Sequence, residues 1–315
     1  QYDFAHAQAV ITLPSHVTIF SGLTPPTHGV RDNSGYRVPP TTVTLATILK
    51  DRGFATGAFI GGFPLDSQFG LDIGFDTYDD RVREVRGATT FAESERPAGE
   101  VIASALDWIG QQGSRKWFTW VHLYDPHAPN RPPEPFATTY KDNPYAGEVA
   151  YTDQALGPLF EKVRSVTDRP TLVIVTSDHG EGLGDHGEAT HGIFAYEATL
   201  HVPLIVAQYA HGQPTSGQRP RRPRRSALAV QHVDILPTAL DALTLTPPPN
   251  LQGRSLFGLT ADVTRVRAGY FEALAPSLNR GWAPLTGVLV DREKYIELPL
   301  PELYDLARDP RERDN

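Results

Sequence analysis

At 315 residues the chain has room for one large α/β domain, or for one domain with a small appendage. Apolar residues at 40% and charged residues at 21% are the balance of a globular protein, and a net charge of −8 argues against a general nucleic-acid binder, which needs a basic face. The absence of cysteine removes disulfides, thiolate metal sites and thiol nucleophiles together.

In chain order, the first informative stretch is Thr12 to Asn33, TLPSHVTIFSGLTPPTHGVRDN. Val17 to Ser21 is helix-like, and Pro14 suits a first helical turn. Thr12 then lies beside exposed N–H groups at a helix N-terminus, which favour an anion and an ionised hydroxyl. On local pattern alone, Thr12 is equally readable as the N-cap of an ordinary helix. Thr42 to Arg52 predicts a second helix, stopped by Gly53. Trp117 to Leu123, Thr171 to Thr176 and Val202 to Ala207 are continuous apolar runs of the kind found in parallel strands covered on both faces. Helical patterns cover Glu148 to Val163 and Val233 to Leu243. Arg219 to Arg225 is basic and interrupted by Pro, the pattern of a solvated loop. After Pro247-Pro248-Pro249 the pattern changes, and from about Val266 the runs AGYFEAL, APLTGVLV and KYIEL predict a small antiparallel sheet. No apolar run approaches the length of a membrane span. The chain opens on Gln1 and contains no Met, so we expect a processed chain or a fragment whose true N-terminus lies upstream.

Two further elements carry candidate chemistry. Asp178-His179-Gly180-Glu181 follows an apolar strand, where ligand sites of α/β sheets gather, and Gly180 permits the turn that would bring Asp178 and His179 to one metal. Asp125-Pro126-His127 follows another strand. Taken alone, each is also readable as a structural turn or cap.

The Thr12 segment resembles two branches of the alkaline-phosphatase superfamily. Against the sulfatases, which carry Cys or Ser followed by x-Pro-Ser-Arg, Pro14, Ser15, Ser21 and Gly22 fit while Thr12 and His16 depart. Against the nucleotide pyrophosphatase/phosphodiesterases, Thr12, Pro14, His16, Gly22, Pro25, His28, Gly29, Asp32 and Asn33 fall in register. SDHGEGLGDHGEATHG with FAYEATLHVPLIV is similar to the sulfatase pattern. So are Val233 to Thr238, Leu251 to Leu256 and Glu302 to Leu306 with Asp309-Pro310.

The resemblance implies a three-layer α/β/α sandwich with a small C-terminal antiparallel β subdomain. Residues 1–256 would form the catalytic domain, lacking its first strand and the Asp-rich metal motif on it, and 257–315 the subdomain. It implies that Thr12 is the nucleophile and a metal ligand, that Asn33 donates to a non-bridging oxygen, and that Asp178 and His179 are metal ligands. His127 would face the leaving group as general acid or substrate contact. His191 takes the place of an active-site Lys, and His16 replaces the sulfatase Arg, either as a site residue or structurally. Glu181, Asp185 and His186 would shape the metal loop, and His28 would stabilise its turn. The His ligand favours zinc or manganese, with calcium possible.

Two departures bear on substrate. A Thr does not yield the formylglycine that sulfatases make from Cys or Ser. Gly53-Phe54-Ala55-Thr56-Gly57 resembles the second sulfatase signature, yet its Lys and His positions are Gly61 and Phe63. The expectation is therefore a metal-dependent hydrolase of phosphate mono- or diesters ahead of sulfate esters, on a small-molecule, lipid or glycan substrate. The alternatives are a phospho-head-group transferase and a catalytically inactive sulfatase-like binding protein. Specificity is expected to lie in Asp66 to Arg96 and Ala128 to Tyr145. The residues leave oligomeric state and compartment open; the family favours an extracytoplasmic place.

Overall fold

The computed structural model describes residues 1–82, 95–210, 212–214, 225–259 and 267–315. Most of the basic stretch 219–225, and 83–94 of the first specificity loop, therefore lie outside the described residues; Arg225 itself pairs with Asp3 at 2.9 Å.

In chain order the strands are β1 (Tyr2–His6), β2 (Ala55–Phe59), β3 (Thr77–Asp79), β4 (Trp117–Val121), β5 (Thr171–Thr176), β6 (His201–Ala210), β7 (Gln213–Pro214), β8 (Ser226–Gln231), β9 (Ala268–Ala273), β10 (Leu285–Val290), β11 (Glu293–Glu297) and β12 (Glu302–Asp305). The helices are α1 (Thr12–Ser21), α2 (Pro25–His28), α3 (Leu45–Asp51), α4 (Ala98–Gln111), α5 (Phe136–Thr139), α6 (Pro144–Ser165), α7 (Glu197–Leu200), α8 (Ile235–Ala242) and α9 (Ala275–Arg280). The chain divides into two compact units. The first comprises the described residues of Gln1–Tyr36, Leu172–Gln208 and Ser216–Asn315; the second those of Arg37–Thr171 and Tyr209–Thr215.

The first unit holds two sheets. One runs β5-β6-β1-β8, with β1 parallel to β8 and antiparallel to β6. The other is the antiparallel β12-β11-β10-β9, of which β9, β10 and β11 come from the three runs that the sequence marks as β-like, and β12 from the Glu302 to Leu306 landmark. The two share one apolar core: Phe4, Val202, Leu204 and Val230 from the first sheet bury with Phe271, Leu285, Leu289 and Ile296 from the second. Full burial of such side chains contributes about 1.5–3 kcal/mol each, which is what ties the antiparallel sheet to the unit.

The second unit has the parallel sheet β3-β2-β4. Val101 and Ala105 on one face of α4 bury against Phe59 of β2. Here α3 is shorter than the spacing predicts. Thr44 caps it through the Thr47 N–H, the Thr47 hydroxyl lies 2.9 Å from the Thr44 N–H, and Gly53 follows with φ 77°.

Two expectations about strands change. Val202 to Ala207 lies in β6, which runs antiparallel to β1 rather than parallel. Val202 and Leu204 are buried while Pro203 and Ile205 are exposed, so only one face is covered; the outward positions happen to be apolar, which made the run look two-sided. The strands β4 and β5 each stand at the edge of their sheet and are half-buried along their whole length.

Candidate active site

The Thr12 segment folds into α1 with Ile11, in extended conformation, as N-cap; Thr12 is the first helical residue and only 2% exposed. The cap reading of Thr12 is thus replaced by a position in the first turn. There the Leu13 N–H donates to Asn33 Oδ1 at 2.7 Å, satisfying one of the N–H groups that a helix start leaves over. With its oxygen committed, the Asn33 amide turns its N–H₂ donors away from Leu13. The residues before Asn33 are anchored in turn. Arg31 reaches Glu272 of β9 at 2.5 Å, and Asp32 accepts from the Ser34 N–H and from Asn279 Nδ2 of α9.

His28 is structural, as its place in the turn suggested. Its Nδ1 accepts from the Val30 N–H, its Nε2 meets the Thr18 hydroxyl, and that hydroxyl donates to the Pro14 carbonyl. Burial, reinforced by Arg31, pulls its pKa down to about 3.

Asp178 and His179 follow β5, and α1 reaches them. Ser15 Oγ donates to the Asp178 carbonyl, and His16 Nδ1 donates to the Thr12 carbonyl at 2.9 Å while lying 3.6 Å from Asp178 Oδ2. Gly180 is needed here for closeness: its N–H donates to the Thr199 carbonyl, and a Cβ would overlap the Ala198 carbonyl oxygen. His191 stacks obliquely on His179, ring centres 4.2 Å apart, and its Nδ1 donates to Glu181. His232, which no motif singled out, is 1% exposed. Its Nε2 donates to the Ser177 carbonyl and its Nδ1 contacts Ser15 Oγ, so it braces the strand end that presents Asp178. The only sequence signal for it was its place directly before the Val233-Asp234 landmark.

The donor set can be tested against a divalent cation. His179 Nδ1 faces the Gly180 carbonyl at 2.8 Å and must donate there, so Nε2 carries a lone pair. That lone pair lies 3.4 Å from Asp178 Oδ2. Burial lowers the pKa of His16, His179 and His191, with Asp178 opposing it in each. A neutral imidazole nitrogen and a carboxylate oxygen facing each other, with the other imidazole nitrogen held by a carbonyl, is the arrangement of a metal-ligand pair with its outer hydrogen bond. The pair fits the cation; among the described residues no group of three or more His, Asp or Glu side chains forms a complete metal set.

The second unit contains the remaining elements. His127 stacks on Tyr124 with ring centres 4.2 Å apart; Nδ1 donates to the Ala128 carbonyl, so Nε2 accepts from the Tyr124 hydroxyl at 2.9 Å. Both ring nitrogens are engaged within its own loop. Asp125 caps α4 at the Ala98 N–H. A Cβ on Gly62 would stand 2.6 Å from the Tyr124 ring, and one on Gly61 2.9 Å from the His122 carbonyl. At Gly61, where the sulfatase signature carries Lys, the His122 carbonyl leaves no room for a Cβ without a shift; the Tyr124 ring faces Gly62, the position after it.

The sequence profile of the sulfatase family matches residues 3–245. The chain belongs to the sulfatase family. Among its sulfatase relatives, arylsulfatase K of Bos taurus is 29% identical over 183 residues, covering 54% of this chain and 32% of that protein. The choline-sulfatase of Rhizobium meliloti (strain 1021) is 29% identical over 184 residues, with the same coverage. The chain spans about a third of the length of the curated relatives it matches. Two solved structures share the fold along the whole chain. One, solved with its substrate D-glucosamine-2-N,6-O-disulfate, has a TM-score of 0.76 at 18% identity over 85% of that chain. The phosphonate monoester hydrolase of Agrobacterium radiobacter has a TM-score of 0.73 at 20% identity over 83% of that chain. The sulfatase-family fold is therefore the alkaline-phosphatase-like α/β architecture, with its small antiparallel sheet formed here by β9 to β12. Among the described residues no helix is long and apolar enough to cross a membrane.

Proposed function

We propose that the chain carries the nucleophile side of a metal-dependent ester hydrolase acting on phosphorus esters, with Thr12 attacking. The observation that carries this reading is that Asn33 is held at the helix start that bears Thr12: the Leu13 N–H binds its oxygen, which leaves its amide N–H₂ turned away from Leu13. A donor fixed in advance stabilises charge as it develops on a transferred group. Thr12 sits in the first turn, where the helix dipole favours an ionised hydroxyl. Asp178 and His179, with Thr12, would hold a divalent cation, zinc or manganese in preference to calcium. When bound, such a cation supplies Lewis-acid stabilisation of negative charge on the nucleophile and the transferred group. His16 fixes the Thr12 backbone to the Asp178 side. His191, steadied by Glu181, would contact a substrate oxygen. The family resemblance alone assigns His127 to the leaving group.

Sulfate esters are the competing substrates, since the relatives are named as sulfatases. Thr12 in place of a formylglycine precursor, and the lack of room for a Cβ at Gly61, favour phosphorus. The test is a panel of aryl phosphate, aryl phosphonate, phosphodiester and aryl sulfate with manganese or zinc, for the chain and its Thr12→Ala variant. Thr12-dependent turnover of a phosphorus ester, lost by at least about a thousandfold in the variant, is expected. Preference for aryl sulfate overturns the substrate assignment, and turnover indifferent to Thr12→Ala overturns the nucleophile.

A further inference from the structure

Residue 312 lies far from every motif that carries chemistry, yet its carboxylate is among the most deeply buried in the first unit. Glu312 is 2% exposed and adopts φ 52°, a left-handed conformation that a Glu rarely takes. Three contacts hold it. Lys294 of β11, itself fully buried, places Nζ 2.6 Å from Glu312 Oε1. The Glu197 N–H, at the start of α7, donates to Oε2 at 2.6 Å. His186 Nε2 donates to the Glu312 backbone carbonyl at 2.9 Å.

The last contact leads back to the candidate site. His186 also has a positive φ, 49°, and stacks on Tyr196 with ring centres 3.7 Å apart and planes 13° off parallel. It sits at the tip of a loop whose stem is closed by Gly182 N–H to Thr190 carbonyl and Gly184 N–H to Glu188 carbonyl. The two ends of that loop carry His179 and His191. Glu188 fastens the far end by accepting the N–H groups of Ile193 and Phe194. The tip is thus held by a residue more than a hundred positions later, through a carbonyl whose direction is set by a side chain locked in a buried ion pair.

We infer that Glu312 is a positioning residue for the loop from Asp178 to Ile193, acting through the hydrogen bond from His186. Its effect on turnover rests on the proposed hydrolysis; the positioning itself does not. Glu312→Ala frees the carbonyl direction and unpairs Lys294, so it loosens the loop and lowers stability together. His186→Phe keeps the stack on Tyr196 and removes the hydrogen bond to Glu312, together with the 2.7 Å contact of Nδ1 with Asp185 inside the same loop, which Asp185→Ala removes by itself as a control.

Both variants, the double variant and the control are compared by thermal melting, by hydrogen exchange of the amides of Gly182 and Gly184, and by kcat and KM on the best ester of the panel. His186→Phe is expected to melt within a few degrees of the parent, to exchange these amides at least about tenfold faster, and to lower kcat about tenfold with KM little changed, the size typical of lost outer-shell support. The double variant is expected to match Glu312→Ala in exchange and kcat, because both act through one bond. Unchanged exchange in His186→Phe, or strictly additive effects in the double variant, overturns the inference. If the parent turns over no ester, the proposed hydrolysis fails and the exchange measurement decides the positioning alone.

Discussion

His6 meets Glu197 at 2.9 Å and His179 meets Asp178 at 3.4 Å, both inside the first unit. Around Glu197 the chain supplies a cation in Lys294, while burial lowers the pKa of His6 as it does those of His16 and His179. Burial would raise the pKa of Glu197, but His6 and Lys294 outweigh burial and hold it near 2. Lys294 lies between Glu197 at 3.3 Å and Glu312 at 2.6 Å. Around Asp178 the nearest ring nitrogens belong to His16 and His179, which burial keeps neutral. The first cluster contains a buried cation of the chain's own; the second sets one carboxylate beside the unprotonated Nε2 of His179. One histidine–carboxylate motif therefore serves cohesion in one place and, under the proposed function, ligand capture in the other.

The comparison breaks most visibly at Lys294. Replacing it with Met leaves two buried carboxylates without their shared cation, and removing one partner of a buried pair costs about 3–5 kcal/mol. Urea unfolding of Lys294→Met measures it; a loss below about 1 kcal/mol means that the carboxylates simply take up protons and the network is not cohesive. Asp178→Asn should do the opposite. Manganese or zinc affinity by calorimetry should fall by at least about a hundredfold, since outer partners alone are worth 10–100-fold. Unfolding free energy in chelator should shift by less than about 1 kcal/mol. Equal metal affinity in parent and variant would remove Asp178 from the ligand set.

The smallest effect concerns acid. The folded pKa of His28 lies near 3, below the unfolded value of 6.5, so at pH 7 it is neutral in both states and contributes nothing. As pH falls below 6.5 the unfolded chain binds a proton that the folded chain refuses, and stability is lost progressively down to about pH 3. At pH 5 the loss from this group is about 2 kcal/mol. Glu197 gives the reverse sign check: its depressed pKa keeps its contribution until the pH drops below the unfolded value of 4.5. A His28→Asn variant should therefore show a flatter fall in unfolding free energy between pH 6.5 and 5 than the parent; an identical slope would mean that other histidines carry the acid sensitivity.

What the sequence disclosed about the site follows the distance over which each contact is made. The run from Thr12 to Asn33 spans only α1, the short α2 and the turns that follow them, so the register of its motif was legible locally. The Asp178-His179-Gly180 turn was legible for the same reason, though the need for Gly180 came from the Ala198 carbonyl, which no local rule contains. Ser15 and His232 act on backbone carbonyls of Asp178 and Ser177, and a carbonyl leaves no mark in sequence. Nothing in the sequence singles out Lys294 and Glu312, because only the folded packing shows that they are buried together. In the fold, β9, β10 and β11 were readable as β-like runs, β12 was not marked as a strand, and the direction of β6 was hidden by apolar residues on its outer face.

The first unit is gathered from three stretches, the first set apart from the other two by residues 37–171 of the second unit. The groups around Asp178 come from positions 12 to 33, 178 to 191 and 232, with a brace at 312. During synthesis Thr12 leaves the ribosome long before any of its later neighbours exist. Closing loops of that length is slow and entropically costly, so this part of the molecule should mature last. A nascent chain would carry an assembled second unit while its candidate nucleophile was still without a site.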